Sequence, residues 1–136
     1  MEFEDKRNLS NVRLEHAFEC LSSAKLNFEA NGYKTAANRS YYAVFHAVRA
    51  VLAYDGIDMK HHSGIISEFR RLYIKTGVFP KEMSETISAL FDIRSDCDYD
   101  DYYVISIEDV KTQMGNAEHF LDKVSLFLQN KGMPAE

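Results

Sequence analysis

Residues 38–54 read NRSYYAVFHAVRAVLAY, and this run decides the fold. After Ser40, apolar side chains fall on nearly every face of a helix. A helix that is apolar all round is surrounded by protein. The run therefore predicts a central helix from about Lys34 to Tyr54, stopped at Asp55-Gly56. Its most apolar stretch, Tyr41 to Tyr54, holds His46 and Arg49 and is too short to span a bilayer, which takes about 20 mostly apolar residues.

Working outward, helical periodicity continues on both sides. A first helix is expected from about Asn11 to Ala30, with Ser10 as its N-cap and Asn31-Gly32 as its stop. Its residues Leu14, Ala17, Phe18, Leu21, Ala24, Leu26 and Phe28 mostly follow a three-four spacing. Beyond the central helix a loop runs through His61. A shorter helix is expected from about Ser63 to Lys75, closed by Gly77. Pro80 opens a fourth helix, since proline suits the first turn, and this helix should persist to about Asp98. Ser106 with Asp109 makes a variant capping box for a last helix from Ile107 to about Asn130. The short run YYVI has no second strand to pair with. The expected fold is all-α: an up-and-down helical bundle of four long helices plus one short helix.

The chain has 136 residues, which size priors place in a single domain, residues 1–136, with its core at about 10–128. With 46% hydrophobic and 27% charged residues it is too apolar for a disordered chain. Six glycines and two prolines argue against a turn-rich β fold. The two cysteines, Cys20 and Cys97, are too few for a disulfide scaffold and are read as reduced thiols. The N-terminus, MEFEDKRN, lacks the apolar stretch of a secretory signal, so a cytoplasmic protein with no membrane association is expected. The net charge of −5 argues against a broad nucleic-acid-coating surface and confines any such site to a small pocket.

Familiar enzyme motifs are missing. There is no GxSxG, no P-loop, no Rossmann glycine pattern and no HExxH. The adjacent pair His61-His62 could ligate a metal, or sit in a solvated loop, or cap the helix behind it. No metal and no cofactor is expected.

The least ordinary stretch is FDIRSDCDYDDYY, residues 91–103, where Asp92, Asp96, Asp98, Asp100 and Asp101 surround one cation, Arg94. On one helix Asp92, Asp96 and Asp100 would share a face as like charges, which destabilises it, so the helix ends there or something compensates. A calcium loop starting at Asp96 fails downstream, at Asp101 and Ile107, where glycine and glutamate are needed. Arg94 either has a structural role, as counter-ion to this acidic turn, or binds phosphate through its planar guanidinium. A second polar set lies on the central helix: Asn38, Arg39 and Ser40, with His46 and Arg49 further along, where Asn38, Tyr42 and Arg49 are spaced to share a face, as are Arg39 and His46. A buried arginine needs a partner, and the Asp cluster could supply it, which predicts a structural salt bridge between the second helix and the end of the fourth, a polar cleft where those two elements meet, or both. Tyr99, Tyr102 and Tyr103 either stack on a base or pack the loop down.

The runs NRSYYAVFHAVRAVL, KHHSGIISEFRRLYIKTG and RSDCDYDDYY, followed by a final amphipathic helix, together resemble the HEPN domain, the "higher eukaryotes and prokaryotes nucleotide-binding" family. The resemblance covers about Ser10 to Leu128. It is greatest to the small stand-alone prokaryotic branch, whose motif after the fourth helix ends in Asp-Tyr. It implies a homodimeric all-α bundle with a polar cleft near the dimer interface. Many members are metal-independent endoribonucleases; others bind nucleotides. The small forms are often the toxin half of a toxin–antitoxin module whose other half is a minimal nucleotidyltransferase, able to modify a tyrosine near the toxin's active site. The family's ribonuclease motif is Arg, four residues, then His, often followed by x-Tyr. Here Arg94 matches the arginine, Tyr99 stands at the histidine position and Asp101 at the tyrosine position.

That departure matters chemically. Cleavage by the 2′-hydroxyl needs a proton acceptor. Histidine, with a pKa of about 6.5, serves near neutral pH, whereas tyrosine, at about 10, is a poor base there. His46 or His62 could stand in only if the fold brings one close to Arg94. The leading expectation is a nucleotide- and partner-binding component of such a module. The alternatives are an endoribonuclease toxin using Arg94 and Tyr99, and a purely structural or assembly domain. The binding cleft is expected to hold Asn38, Arg39, Tyr42, His46, Asp98 and Asp101.

Overall fold

The structure, a computed structural model, describes residues 2–132. Five α-helices follow one another there: α1 (Phe3–Glu29), α2 (Tyr33–Tyr54), α3 (His62–Phe69), α4 (Lys81–Tyr99) and α5 (Ile107–Asn130). The all-α bundle expected from the periodicity is what forms. No strand occurs among the described residues, and no helix among them is long and apolar enough to cross a membrane.

α2 is the axis of the bundle. Thirteen of its 22 residues are buried, and it packs against α1, α3, α4 and α5. Its alanines explain the close fit. Ala36, Ala43, Ala47 and Ala50 of α2 are fully buried, as are Ala17 and Ala24 of α1, and such small side chains leave room for neighbouring helices. Val44, Val48, Val51 and Leu52 fill the remaining faces. Each such side chain contributes about 1.5–3 kcal/mol on burial. At one end an aromatic cluster of Phe69, Tyr73, Phe79, Phe120 and Phe127 closes the core. At the other a smaller cluster of Ala36, Ala37 and Val110, joined by Ile93, Cys97 and Ile105, ties the end of α4 to the starts of α2 and α5.

Helix ends follow local chemistry. Asn31 adopts a left-handed φ of 66° after α1, and Gly56 one of 79° after α2. Ser106 caps α5, its hydroxyl accepting from the Asp109 N–H at 3.2 Å. The like-charge problem at the end of α4 is solved by stopping at Tyr99, where Asp100 turns the chain and accepts from the Tyr102 N–H at 3.0 Å.

Two expectations need correction. α1 begins at Phe3, two turns before Asn11, and Ser10 is not its cap. Ser10 is fully buried in mid-helix, and its hydroxyl donates to the Ala50 carbonyl at 2.7 Å. The early turns lack an apolar stripe, so periodicity does not reveal them. They are held by acidic Glu4 and Asp5 near the positive end of the helix dipole and by an Arg7 bond to the Gly132 carbonyl at 2.8 Å. The short third helix is not uniform either. After Phe69 it widens into a π-helical turn, Arg70–Ile74, in which the Lys75 N–H reaches back five residues to the Arg70 carbonyl at 2.9 Å.

Candidate functional site

Arg94 stands where the apolar stripe of α4 would continue. Met83, Ile87 and Leu90 are buried at three-four spacing, and the next position on that stripe is Arg94. Leu90 anchors one turn, and Ile93 with Cys97 holds the helix end against α2 and α5. The Arg94 side chain is thereby laid across α2 and left only 19% exposed. Its guanidinium lies 5.3 Å from the ring centres of both Tyr41 and Tyr42. Cation–π contacts of this kind stabilise by about 0.5–2 kcal/mol, more when desolvated.

The salt bridge expected between α2 and the end of α4 does not form among the described residues. Arg94 pairs on its own helix with Asp98, one turn on, at 3.3 Å. The Nε–H is not aimed at that carboxylate, so Nε is buried without a hydrogen-bond partner among the described residues. The cations of α2 find other partners. Arg49 lies 3.7 Å from Asp58, and Arg39 donates to Asn38 Oδ1 at 2.7 and 3.1 Å. Tyrosine faces, not carboxylates, join α2 to α4 here. The stripe geometry puts Arg94 over rings, while of the aspartates only Asp98 shares its face of α4, and Asp92, Asp96, Asp100 and Asp101 lie on other faces or in the turn beyond.

Tyr42 is the meeting point. The Arg39 guanidinium lies 5.2 Å from its ring centre, and the rings of His46 and His62 approach it at 6.4 and 6.2 Å. His62, the first residue of α3, also stacks on Phe45 at 4.0 Å. His46 continues the cluster away from Arg94, edge-on to His16 at 5.7 Å. Beyond it Arg13 donates to Asp58 at 2.7 Å and to the Arg49 carbonyl at 3.5 Å. Nδ1 of His46 and Nε of Arg49 are, like Nε of Arg94, buried without partners among the described residues. An acidic chain thus gathers four guanidiniums and three imidazoles along one face of α2, with Asp58 and Asp98 in ion pairs with them.

Electrostatics separates the two inner imidazoles. Burial, then His16 and three arginines, push His46 down to about 4. His62 is lowered too, by partial burial and then by Arg94 and Arg49. Both rings are neutral at pH 7, but His62 is solvent-exposed. It also stands on the wall between two recesses. One, of about 570 Å³ between α3 and α4, is walled by Tyr41, Ile66, Ile87 and Phe91 with Asp92 at its edge. The other, of about 320 Å³, holds Arg49, Asp58 and Lys60.

Of the residues singled out in the sequence, Asn38, Arg39, Tyr42, His46, Arg94 and Asp98 are therefore connected through direct contacts. Tyr99 and Asp101 lie apart. Tyr99 is five positions beyond Arg94, about 140° round the helix at 100° per residue. It is 78% exposed, and neither it nor Asp101 bonds to Arg94 among the described residues. Tyr102 is 93% exposed, so the tyrosines of this turn are not packed down as a group. His62 and Arg49, both named in the sequence outside the expected cleft set, join the cluster, with Phe45 between them. The signal for His62 was its place beside the start of α3, but nothing local says that α3 docks against Tyr42. Among the described residues no three His, Cys, Asp or Glu side chains are grouped to hold a metal ion.

Comparison with known proteins agrees with the fold. The family model for the HEPN domain matches residues 10–127. A "UPF0332 protein" of Thermotoga maritima is 32% identical over 93% of this chain and 96% of its own length. Two proteins of Methanocaldococcus jannaschii, named "Putative toxin MJ0142" and "Putative toxin MJ0605", are each 30% identical. The first match covers 98% of this chain and 90% of the relative, the second 92% of each. The chain belongs to the HEPN domain family.

Proposed function

We propose that this chain is the toxin-type half of a two-protein module and that it takes RNA phosphate in the cleft around Arg94. The observation that carries this reading is the convergence of Arg39 and Arg94 on the Tyr42 ring, with Nε of Arg94 buried and unpartnered. A guanidinium fork matches phosphate oxygens, and an aromatic face beside it suits a nucleobase. The toxin names of two relatives point the same way. The polar set is confined to one helix face, which fits a local site on an acidic protein. The working unit is a homodimer, as the family resemblance implies.

The test is fluorescence anisotropy with a short labelled single-stranded RNA in the absence of metal. Loss of one charge-assisted hydrogen bond costs about 1.5–3 kcal/mol, so Arg94→Ala should bind about 10- to 100-fold more weakly. Equal binding by both proteins, or no binding by the folded wild type, would sink the proposal.

A partner of the nucleotidyltransferase kind is favoured by a separate observation. Tyr99 and Tyr102 present open hydroxyls on the acidic turn at the end of α4. Such hydroxyls are accessible acceptors for a transferred nucleotide, which would add negative charge near the Arg94 cleft and oppose RNA binding. Incubation with a minimal nucleotidyltransferase and ATP should give one nucleotide-sized mass increment that maps to Tyr99 and disappears in Tyr99→Phe. An increment on a residue outside 99–103 would contradict this partner reading.

A further inference from the structure

We infer that the recess between α3 and α4 is a binding site for a small aromatic carboxylic acid, with Arg70 as its anion-binding group. The inference does not rest on the RNA reading of the Arg94 cleft and adds a second site to the chain.

The recess follows from the way two helices meet. α3 itself does not pack against α4, whereas the π-helical turn Arg70–Ile74 that continues it does. The two elements are therefore joined at one end and stand apart elsewhere. Ser63, Ile66, Ser67 and Arg70 recur at three-four spacing, so one face of α3 lines the gap. Ile87 and Phe91, one turn apart on α4, line it from the other side, and Tyr41 of α2 lines it as well. Isolated π turns are rare and recur at functional sites, and this one begins at Arg70.

The space is about 570 Å³. Small-molecule sites run to about 300–1,000 Å³ and combine apolar walls with a few polar groups. The walls here are unequally covered. Tyr41 and Ile87 are each 2% exposed, but Phe91 is 48% exposed. The Tyr41 and Phe91 rings stand 6.1 Å apart, edge to face. A planar apolar body laid against Phe91 would take wetted aromatic surface out of water, which the hydrophobic effect and ring packing both favour.

Arg70 supplies the polar end. Its Nε donates to Ser84 Oγ at 2.9 Å, and its Nη2 donates to Ser88 Oγ at 2.8 Å and to the Ser84 carbonyl at 3.3 Å. These bonds fix the plane of the guanidinium against α4. Nη1 has no hydrogen-bond partner among the described residues, and no carboxylate pairs with Arg70 among them. A guanidinium held in place with one nitrogen to spare suits a carboxylate. Asp92, which also lines the recess, limits the charge of the ligand. A phosphate dianion would meet that carboxylate with a single, partly engaged cation to offset it, whereas a singly charged acid is matched by Arg70 alone.

The experiment titrates the full, isotope-labelled chain with 3-phenylpropionate and follows its amide resonances, beside a titration with the neutral 3-phenylpropionamide. The acid should bind saturably, with a Kd in the millimolar range or below, and shift resonances at 63–70 and 87–92. The amide should bind about 10-fold more weakly or worse. Arg70→Gln should weaken the acid about 10- to 100-fold, the loss expected for a charge-assisted hydrogen bond, and leave the amide within about threefold. Arg70 also ties its turn to α4, so Ser67→Phe gives a second measurement. Ser67 is exposed, and its substitution should preserve circular dichroism and melting temperature while the added ring fills the recess and abolishes binding. No saturable shift in the wild type overturns the inference. So do equal affinities for acid and amide, wild-type affinity in folded Arg70→Gln or Ser67→Phe, or shifts centred on residues 38–49 and 94, which would place the acid in the Arg94 cleft. A blocked peptide ending in phenylalanine that binds more than about 10-fold tighter than the free acid would give the recess to a chain terminus and overturn its assignment to a small molecule.

Discussion

Two arginine sites lie on neighbouring stretches of α2, and they are built differently. At the first, Arg13 reaches from α1 to Asp58 at 2.7 Å and to the Arg49 carbonyl, and the charge is paired by aimed hydrogen bonds. At the second, Arg94 reaches from α4 to two tyrosine faces, the Asp98 carboxylate is 3.3 Å away and misaligned, and among the described residues its Nε is buried without a partner. Both side chains are mostly covered. A buried guanidinium whose hydrogen bonds are all made strengthens the fold. One whose donors are left over keeps that capacity for a ligand, at a cost in desolvation. On the reading proposed above, the difference separates an arginine that serves structure from one that serves binding.

His46 lies between the two sites and feels both. Its folded value of about 4 lies below the ordinary 6.5 because of burial, then His16, Arg49, Arg39 and Arg13. Below pH 6.5 the unfolded chain therefore binds a proton that the folded chain refuses. Stability should be complete above about pH 6.5 and fall as pH drops towards 4. The side chain is partly exposed and water screens its neighbours, so the loss to expect is about 2 kcal/mol rather than the full shift. Urea melts at pH 7, 6, 5 and 4 would show it, and His46→Gln should flatten the slope. An unchanged slope would mean that His46 does not couple the two sites.

The next largest effect sets the arginines against each other. Arg13→Ala breaks an aimed pair whose carboxylate is half-exposed, and should cost about 1 kcal/mol in thermal or urea unfolding with RNA binding unchanged. Arg94→Ala loses two ring contacts but also relieves an unpartnered buried donor, so its cost should stay under about 0.5 kcal/mol. If Arg94→Ala is the more damaging of the two, the division between structural and binding arginines is wrong.

The smallest effect lies outside both sites and calibrates the rest. Ser106 caps α5 through a single exposed bond at 3.2 Å. Ser106→Ala should cost about 0.5 kcal/mol and leave RNA binding unchanged. A loss of RNA binding in that variant would show that binding follows general stability, and the contrast between Arg13 and Arg94 would lose its meaning.

The bundle was legible wherever local signals agree. In the run from Ala43 to Ala53 only His46 and Arg49 are polar, so α2 had to be central. Asn31, Gly56 and Gly77 marked helix ends because left-handed backbone suits them. Ser10 misled because a serine before an apolar stripe is a cap signal, and only the approach of α2 turns it into a buried donor to Ala50. The salt bridge expected across α2 and α4 failed for a related reason. Composition shows that carboxylates are near Arg94 in sequence, but helical phase decides which of them it can reach, and that is Asp98 on its own helix.

The sequence by itself determined the helices, their order and the central place of α2, because a 3.6-residue period and turn chemistry act within a few neighbours. It also marked Arg94, since a lone cation among aspartates is visible without coordinates. Only the tertiary structure decided that Arg94 rests on Tyr41 and Tyr42 and that His62 of α3 meets the same Tyr42 ring. Those relations join elements more than ten residues apart, and their distances are set by helix packing and by the path of the 55–61 loop, which no local pattern encodes.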